Sequence, residues 1–424
     1  MTISFDGLPS HWDTTRLDWV ATVNARIGWK ALTAAEYQDS GYAFLSTPNI
    51  KGREIDFTNV NYISDFRYRE SPELQLAEGD VLLTKDGFTL GTVNVVRHLP
   101  RPATVNGSIA VLRSFGIHPR FLYYVIASSV IQGHIWSVKD GMDVLHLFQR
   151  DIKKFPIPLP PREEQRRIAD FLDAETARID NLVAARKRHV GLLCERWESV
   201  IHHELTRGGV EEVELRRLGV AVTTGPFGTA FNASEYRDGG IPMVNPLHIK
   251  GGRITPDRHH AVSPSTAARL SRHQLRAGDL VVGRKGDLGR AALVDDDQDG
   301  WVCGSDCIAV HPSSMLRPQF LAQVLRSQYV REQLLARSLA ATMPSLSEGN
   351  LLSLRIPNFT LEQQDAATAR LAVAHGWHDR AVAAMARQLK LLAERRQALI
   401  TAAVTGQFDV STASGRNVTD GVTV

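Results

Sequence analysis

The chain has 424 residues, 43% of them hydrophobic and 22% charged, enough for two or three globular domains with buried cores. Its formal charge is only +3, from 49 Lys and Arg against 46 Asp and Glu, so any affinity for nucleic acid has to come from clustered cations and not from the total. Cys194, Cys303 and Cys307 are too few and scattered for a disulfide framework, no basic-then-apolar leader is visible, and the longest apolar run, at 121–131, is too short to cross a bilayer; a cytoplasmic protein is expected.

In chain order, short apolar runs punctuated by Gly, Pro and Asn predict strands at 81–84, 92–96 and 108–112. A proline at the first turn followed by helical spacing predicts a helix from Pro119 to Ile131. Arg162 to Thr206 then holds no proline and a single glycine, Gly191. Its apolar residues, among them Ile168, Leu172, Ile179, Leu193, Trp197 and Leu205, recur in steps of three, four and seven, the narrow stripe of a coiled-coil seam. At about 1.5 Å per residue such a helix is a rod on the order of 65 Å, which needs a partner. Beyond it the pattern restarts: a strand at 280–283, a helix from Pro318 to Leu335, and a second long helix from about Leu361 to Thr405. Gly376 inside that helix costs about 1 kcal/mol relative to Ala, which leaves room for a local break there. The two long helices are expected to pack antiparallel through Leu172, Ile179, Leu193 and Trp197 of the first and Leu389, Leu392 and Leu399 of the second.

The restart is an internal repeat. Lys51-Gly52-Arg53 returns as Lys250-Gly251-Gly252-Arg253, Gly79-Asp80-Val81-Leu82 as Gly278-Asp279-Leu280-Val281, Ile157-Pro158 as Ile356-Pro357, and Glu195-Arg196 as Glu394-Arg395. Lys51 and Lys250 lie 199 residues apart, and the other three pairs keep that offset. Two copies are too few for a solenoid and describe a pseudo-two-fold molecule. The fold class is α+β: two similar globules of mixed strands and short helices at residues 1–158 and 209–358, long helices at 159–208 and 359–408, and a disordered tail at 409–424.

Leu8-Pro9 with Trp12, the two Gly-Asp strand starts, Ile157-Pro158-Leu159-Pro160-Pro161-Arg162-Glu163-Glu164-Gln165 ahead of the first long helix, Gly225-Pro226-Phe227-Gly228, Arg284-Lys285-Gly286-Asp287-Leu288-Gly289 and the closing Glu394 to Gly406 together resemble the specificity subunits of type I restriction-modification systems. The second helix start, Ile356-Pro357-Asn358-Phe359-Thr360-Leu361-Glu362-Gln363, departs by lacking the double proline, which leaves the angle of that helix open. The resemblance implies a chain without chemistry of its own that reads a bipartite target in double-stranded DNA, one half per target-recognition domain. It also implies two methyltransferase subunits and restriction/translocase subunits as partners, and S-adenosylmethionine, ATP and Mg2+ as cofactors of those partners rather than of this chain.

For such a reader, loop cations are the natural phosphate and base contacts. The candidates are Lys85, Arg284 and Lys285 after the Gly-Asp strands, Lys51, Arg53, Lys250 and Arg253 in the repeated Lys-Gly segments, and Arg258 in a loop. Each also fits a solvated turn cation. Phe227, between glycines, fits an aromatic placed beside the groove and, more commonly, a small core anchor. No Gly-Lys dipeptide exists for a P-loop, and neither a cofactor-cradling glycine loop nor an Asn/Asp-Pro-Pro-aromatic motif of an adenine methyltransferase is found. Cys303, Cys307 and His311 fall short of a zinc set, and no metal site is expected. The rival readings are a stand-alone DNA-modifying enzyme and a coiled-coil structural protein.

Overall fold

The computed structural model describes residue 5 and residues 7–25, 32–141, 145–286, 289–338 and 345–410. Apart from its first two residues, the tail expected to be disordered lies outside the described residues, as do Asp287 and Leu288. The chain forms two compact units, Met1–Arg186 with Arg387–Val424, and Lys187–Ala386. Each unit therefore takes part of both long helices, so the helices are not bodies of their own between the globules.

In the first unit, strands Ala21–Asn24, Ile109–Ser114, Val81–Thr84 and Val93–Val95 lie in that order in one antiparallel sheet. Side-chain alternation sends Val81, Leu83, Ala110 and Leu112 to one core, and Leu82, Ile109 and Val111 to another. A strand buried on both faces calls for a continuous apolar run, which Val81-Leu82-Leu83 supplies. One core is closed by the helix Pro119–Ala127 and the long helices. The other is closed by a three-stranded sheet, with Tyr42–Leu45 antiparallel to Asn61–Ile63 and parallel to Ala103–Val105.

The second unit repeats this plan. Its four-stranded sheet runs Ala221–Thr224, Cys307–His311, Leu280–Gly283 and Ala291–Leu293, and its three-stranded sheet Ala261–Val262, Ile241–Val244 and Val302–Cys303. Leu280, Val282, Ile308 and Val310 again face one core, and Val281, Cys307 and Ala309 the other. Cys303 and Cys307 are plain core residues, and burial pushes the Cys303 thiol up to about 12.

A two-stranded antiparallel pair precedes each long helix: Asp13–Arg16 with Pro156–Leu159, and Glu212–Glu214 with Arg355–Pro357. The helices span Arg162–Thr206 and Leu361–Val404. The second helix runs unbroken through Gly376, since one glycine's propensity cost is small beside the tertiary contacts of a helix this long. Where the second start lacks the double proline, Thr360 and Gln363 form a capping box, with Gln363 N–H donating to Thr360 Oγ1 at 3.3 Å and Thr360 N–H to Gln363 Oε1 at 2.9 Å.

The shorter helices also correct the sequence reading. Instead of running on from Pro119 and from Pro318, each stops at a serine, giving Pro119–Ala127 with Ser129–Val138, and Pro318–Arg326 with Gln328–Ser338. The Ser128 and Ser327 hydroxyls donate to the carbonyls of Val125 and Val324 and accept from the amides of Ile131 and Val330, ending one helix and capping the next.

Candidate nucleic-acid interface

The long helices pair antiparallel in each unit. In the first, Ile168, Leu172 and Ile179 share a core with Leu399, Ile400 and Val404, with Leu392 at its edge. Phe171 meets Phe408 edge-on at 5.7 Å, while Asp180 lies 3.6 Å from Arg396. In the second, Leu205 and Ile201 pack with Ala367 and Leu371, Trp197 stacks on His378, and Glu204 accepts from Arg370 Nε at 2.7 Å. Leu193 and Trp197 line a groove of about 470 Å³ with Ala374, Trp377 and Ala381. Leu389 is half-buried.

A buried glutamine locks each long helix to its globule. Gln165 Oε1 accepts His118 N–H at 2.8 Å, and its Nε2 donates to the Pro160 carbonyl at 2.8 Å. Gln364, 199 residues on, accepts Arg317 N–H at 2.7 Å and donates to the Phe359 and Met315 carbonyls, both at 2.9 Å. The first unit adds a polar knot at its helix: Asp173 accepts from Tyr124 Oη and Arg120 Nη1 at 2.6 Å and from Arg97 Nη2 at 3.1 Å. Burial raises the Asp173 carboxyl, but the hydrogen bonds from Tyr124 and Arg120 and the Arg97 charge outweigh it and hold the group below the ordinary carboxylate range.

The Gly-Asp motif has the same job in both units. Gly79 and Gly278 take φ of +89°, and the following aspartate closes the turn, Asp80 accepting Ala77 N–H and Asp279 accepting Arg276 N–H at 2.8 Å. Asp80 also takes a two-pronged contact from Arg113, at 2.8 and 2.7 Å, and Asp279 pairs with His311 at 2.8 Å. Past the strand, Lys85 and Arg284 are held alike: their N–H groups donate to Ser108 and Asp306, and their carbonyls accept from Leu147 and Leu346, all at 2.8 Å.

Their side chains differ from expectation. Lys85 is buried with its Nζ 2.7 Å from Asp86, whose carboxylate also meets His146, because the segment at 145–147 crosses over it. Arg284 is half-buried and donates to the Leu346 carbonyl at 3.2 Å. Lys285 is exposed but paired with Asp306 at 2.7 Å. Lys51 and Arg53 are exposed, Arg53 lying 3.9 Å from Glu54. Lys250 and Arg253 are exposed on the hairpin of Ile249–Lys250 and Arg253–Ile254, turned by Gly251 and Gly252 at positive φ. Arg258 is exposed in a loop.

An exposed aromatic was missed. Phe88, directly after Lys85-Asp86-Gly87, is 92% exposed, and its one sequence signal is an apolar residue out of strand register beside a glycine. Phe227 is 68% exposed, as an aromatic beside a groove would be and not as a core anchor; two residues before it the Gly225 backbone runs against the Gly304 carbonyl, where a Cβ would come within 1.9 Å.

Among the described residues, His248, Asp257 and His260 form the one cluster with metal-ligand spacing. Asn245 N–H donates to His248 Nδ1 at 3.0 Å, so the neutral ring carries its proton on Nε2, which faces Asp257 at 3.2 Å and has no lone pair for a cation. The first unit builds a related knot from amides: Asn59 donates to Asp56, and Asn49 to the Asn59 carbonyl, both at 2.8 Å. The histidine cluster is a hydrogen-bonded knot of the fold.

A doubled α+β unit with cationic loops in each copy, both copies built on paired long helices, defines a twin-domain recognition scaffold. Residues 9–188 match the family model described as the type I restriction modification DNA specificity domain. The chain is 21% identical over 383 residues to the type I restriction enzyme MjaVIII specificity subunit of Methanocaldococcus jannaschii, with 86% of each covered. It is 20% identical over 289 residues to the EcoKI specificity subunit of Escherichia coli, covering 65% of this chain and 62% of that one. A solved chain from work on complex assembly and conformational transition of the type I R-M system shares the fold at TM-score 0.71 and 18% identity, covering 95% of this chain and 99% of that chain. Over residues 9–188 the chain thus matches that specificity domain, and over most of its length it is similar to specificity subunits of type I restriction enzymes.

Proposed function

We propose that this chain reads a two-part DNA sequence, one half-site per globule, and carries out no chemistry itself. The observation that carries the reading is the duplication: two globules of one plan present cationic segments at the same register positions. Two linked readers on one duplex also gain effective concentration for the second contact once the first is made. Lys51, Arg53, Lys250, Arg253, Arg258 and Lys285 are the exposed cations assigned to the duplex, with Arg284 supporting its loop from behind and Lys85 positioning rather than contacting. The exposed Leu192, Val373 and Trp377 on the long helices are assigned to docking of methyltransferase subunits, through which restriction subunits join. In this reading those partners use S-adenosylmethionine, ATP and Mg2+, and the assembly works in the cytoplasm, in keeping with a chain in which no described helix is long and apolar enough to cross a membrane.

The test is a domain exchange read by methylation mapping. Replacing residues 1–155 with the equivalent part of a relative is expected to change one half of the methylated motif and leave the other half alone. A change in both halves, or in neither, refutes modular reading, and methylation or cleavage by the purified chain alone refutes the division of labour.

A further inference from the structure

Like charges set directly opposite each other across an antiparallel ladder repel at close range and weaken it. The hairpin of Ile249–Lys250 and Arg253–Ile254 carries such a pair. Lys250 and Arg253 are direct cross-strand partners, as are Ile249 and Ile254. The two isoleucines are buried in a core of the second unit, so alternation turns both cations to the outer face, with Cβ atoms about 5 Å apart. Among the described residues neither cation pairs with a carboxylate. The acid nearest in sequence, Asp257, is committed elsewhere, facing His248 Nε2 at 3.2 Å and His260 Nδ1 at 2.8 Å.

The turn that joins the pair is bare. Gly251 and Gly252 take φ of +56° and +77°, the type I′ geometry that suits a two-residue hairpin. Where a side chain would stand on Gly251 there is open space. On Gly252 the missing side chain leaves room for a third cation, since a Cβ there would come within 1.4 Å of Arg326 Nη1. Arg326 ends the helix Pro318–Arg326, and its Nε donates to the Ala322 carbonyl at 3.1 Å. Three cations thus gather at a tip made of backbone alone, where an anion can come close to the main chain and meet charged N–H donors on either side.

The repeat supplies an internal control. At the 199-residue offset Ile249, Lys250, Gly251 and Ile254 correspond to Ile50, Lys51, Gly52 and Ile55, so the frame of the segment is kept. Arg253 corresponds to Glu54. The first unit therefore has an acid at this register position, and its chain bends there without forming a ladder. The second unit orders the same segment into a hairpin and sets like charges across it, the reverse of what its own stability favours. A repulsion kept in the fold fits a contact that the free chain lacks.

We propose that the Lys250–Arg253 hairpin is a clamp for a backbone phosphate of duplex DNA, with the phosphate held between the two opposed cations and the glycine turn lying close to the strand. The clamp rests on the DNA reading above and adds a conflict to it. One anion between two cations turns repulsion into attraction, so the pair that weakens the free second unit is the pair that tightens its complex.

The experiment installs the first unit's own residue, Arg253→Glu, in the full chain, beside Lys250→Glu and the double reversal Lys250→Glu with Arg253→Glu. Melting temperature is followed at low salt, and binding of a fluorescein-labelled duplex is followed by anisotropy over a potassium chloride series. Each single reversal makes the pair attractive and is expected to raise the melting temperature by about 1–3 °C. The same variants are expected to flatten the slope of log affinity against log salt by about one unit. The double reversal restores the repulsion, so its melting temperature returns to that of wild type while its binding stays weakest. Weaker binding together with a lower melting temperature in both single variants marks a merely structural hairpin and overturns the clamp. A wild-type slope in both overturns it too and leaves the DNA reading standing. Failure of the wild-type chain to bind duplex at low salt sinks that reading and the clamp with it. Should a reversal not fold, Arg253→Gln carries both measurements, with a flatter slope and no fall in melting temperature as the supporting result.

Discussion

Replacing Gln165 or Gln364 with leucine tests whether the buried glutamines hold the helices to the globules. The two side chains are close in volume, so little cavity is made and the measured cost is that of the polar groups left behind. Gln165→Leu strands His118 N–H and the Pro160 carbonyl; Gln364→Leu strands Arg317 N–H and the carbonyls of Phe359 and Met315. At about 1–3 kcal/mol for each buried polar group left unmet, Gln165→Leu is expected to cost about 3 kcal/mol, and Gln364→Leu at least as much. For a unit of this size that is a fall of about 6–12 °C in melting temperature. Circular dichroism during heating reads the total, and amide exchange at His118 and Arg317 reads whether the loss starts at the helix junction. The reasoning fails if both variants cost under about 1 kcal/mol, or if Gln165→Leu costs clearly more than Gln364→Leu.

Asp173→Asn tests the polar knot by pH. The folded carboxyl lies below its unfolded value near 4, so its contribution is complete above about pH 4 and is lost as acid protonates it. The variant is therefore expected to melt lower than wild type at neutral pH, with the gap narrowing as pH falls below about 4, in melting curves taken across pH. Gly225→Ala places a Cβ 1.9 Å from the Gly304 carbonyl oxygen and is expected to destabilise the second unit by about 3 kcal/mol in urea titrations. Phe88→Ala, at a site 92% exposed, is expected to change stability by under about 0.5 kcal/mol while weakening duplex binding in an anisotropy titration.

The features legible in sequence were those written in local chemistry. The first long helix begins and ends where a proline-free stripe predicts, at Arg162 and Thr206, and the strands Val81–Thr84 and Leu280–Gly283 coincide with their apolar runs. What escaped depends on distant segments. The parallel pairing of Tyr42–Leu45 with Ala103–Val105 has no local signature. Lys85 reads as a free turn cation until the chain 60 residues later brings His146 onto its neighbour Asp86. Phe227 fits two readings in sequence, and the close approach of Gly225 to Gly304 beside it is invisible along the chain.

The composition of the first compact unit, drawn from the chain's beginning and from Arg387 onward, sets an order of events during synthesis. Ile168 and Leu172 gain Ile400 and Val404 as core neighbours only after some 200 further residues have been made, about 10–40 s at ribosomal speeds of roughly 5–20 residues per second. The second unit, contiguous from Lys187 to Ala386, has all its parts before that moment. The earlier-made globule is thus the last to be finished, and for that interval its bare helix face depends on chaperones or on dilution to stay out of aggregates.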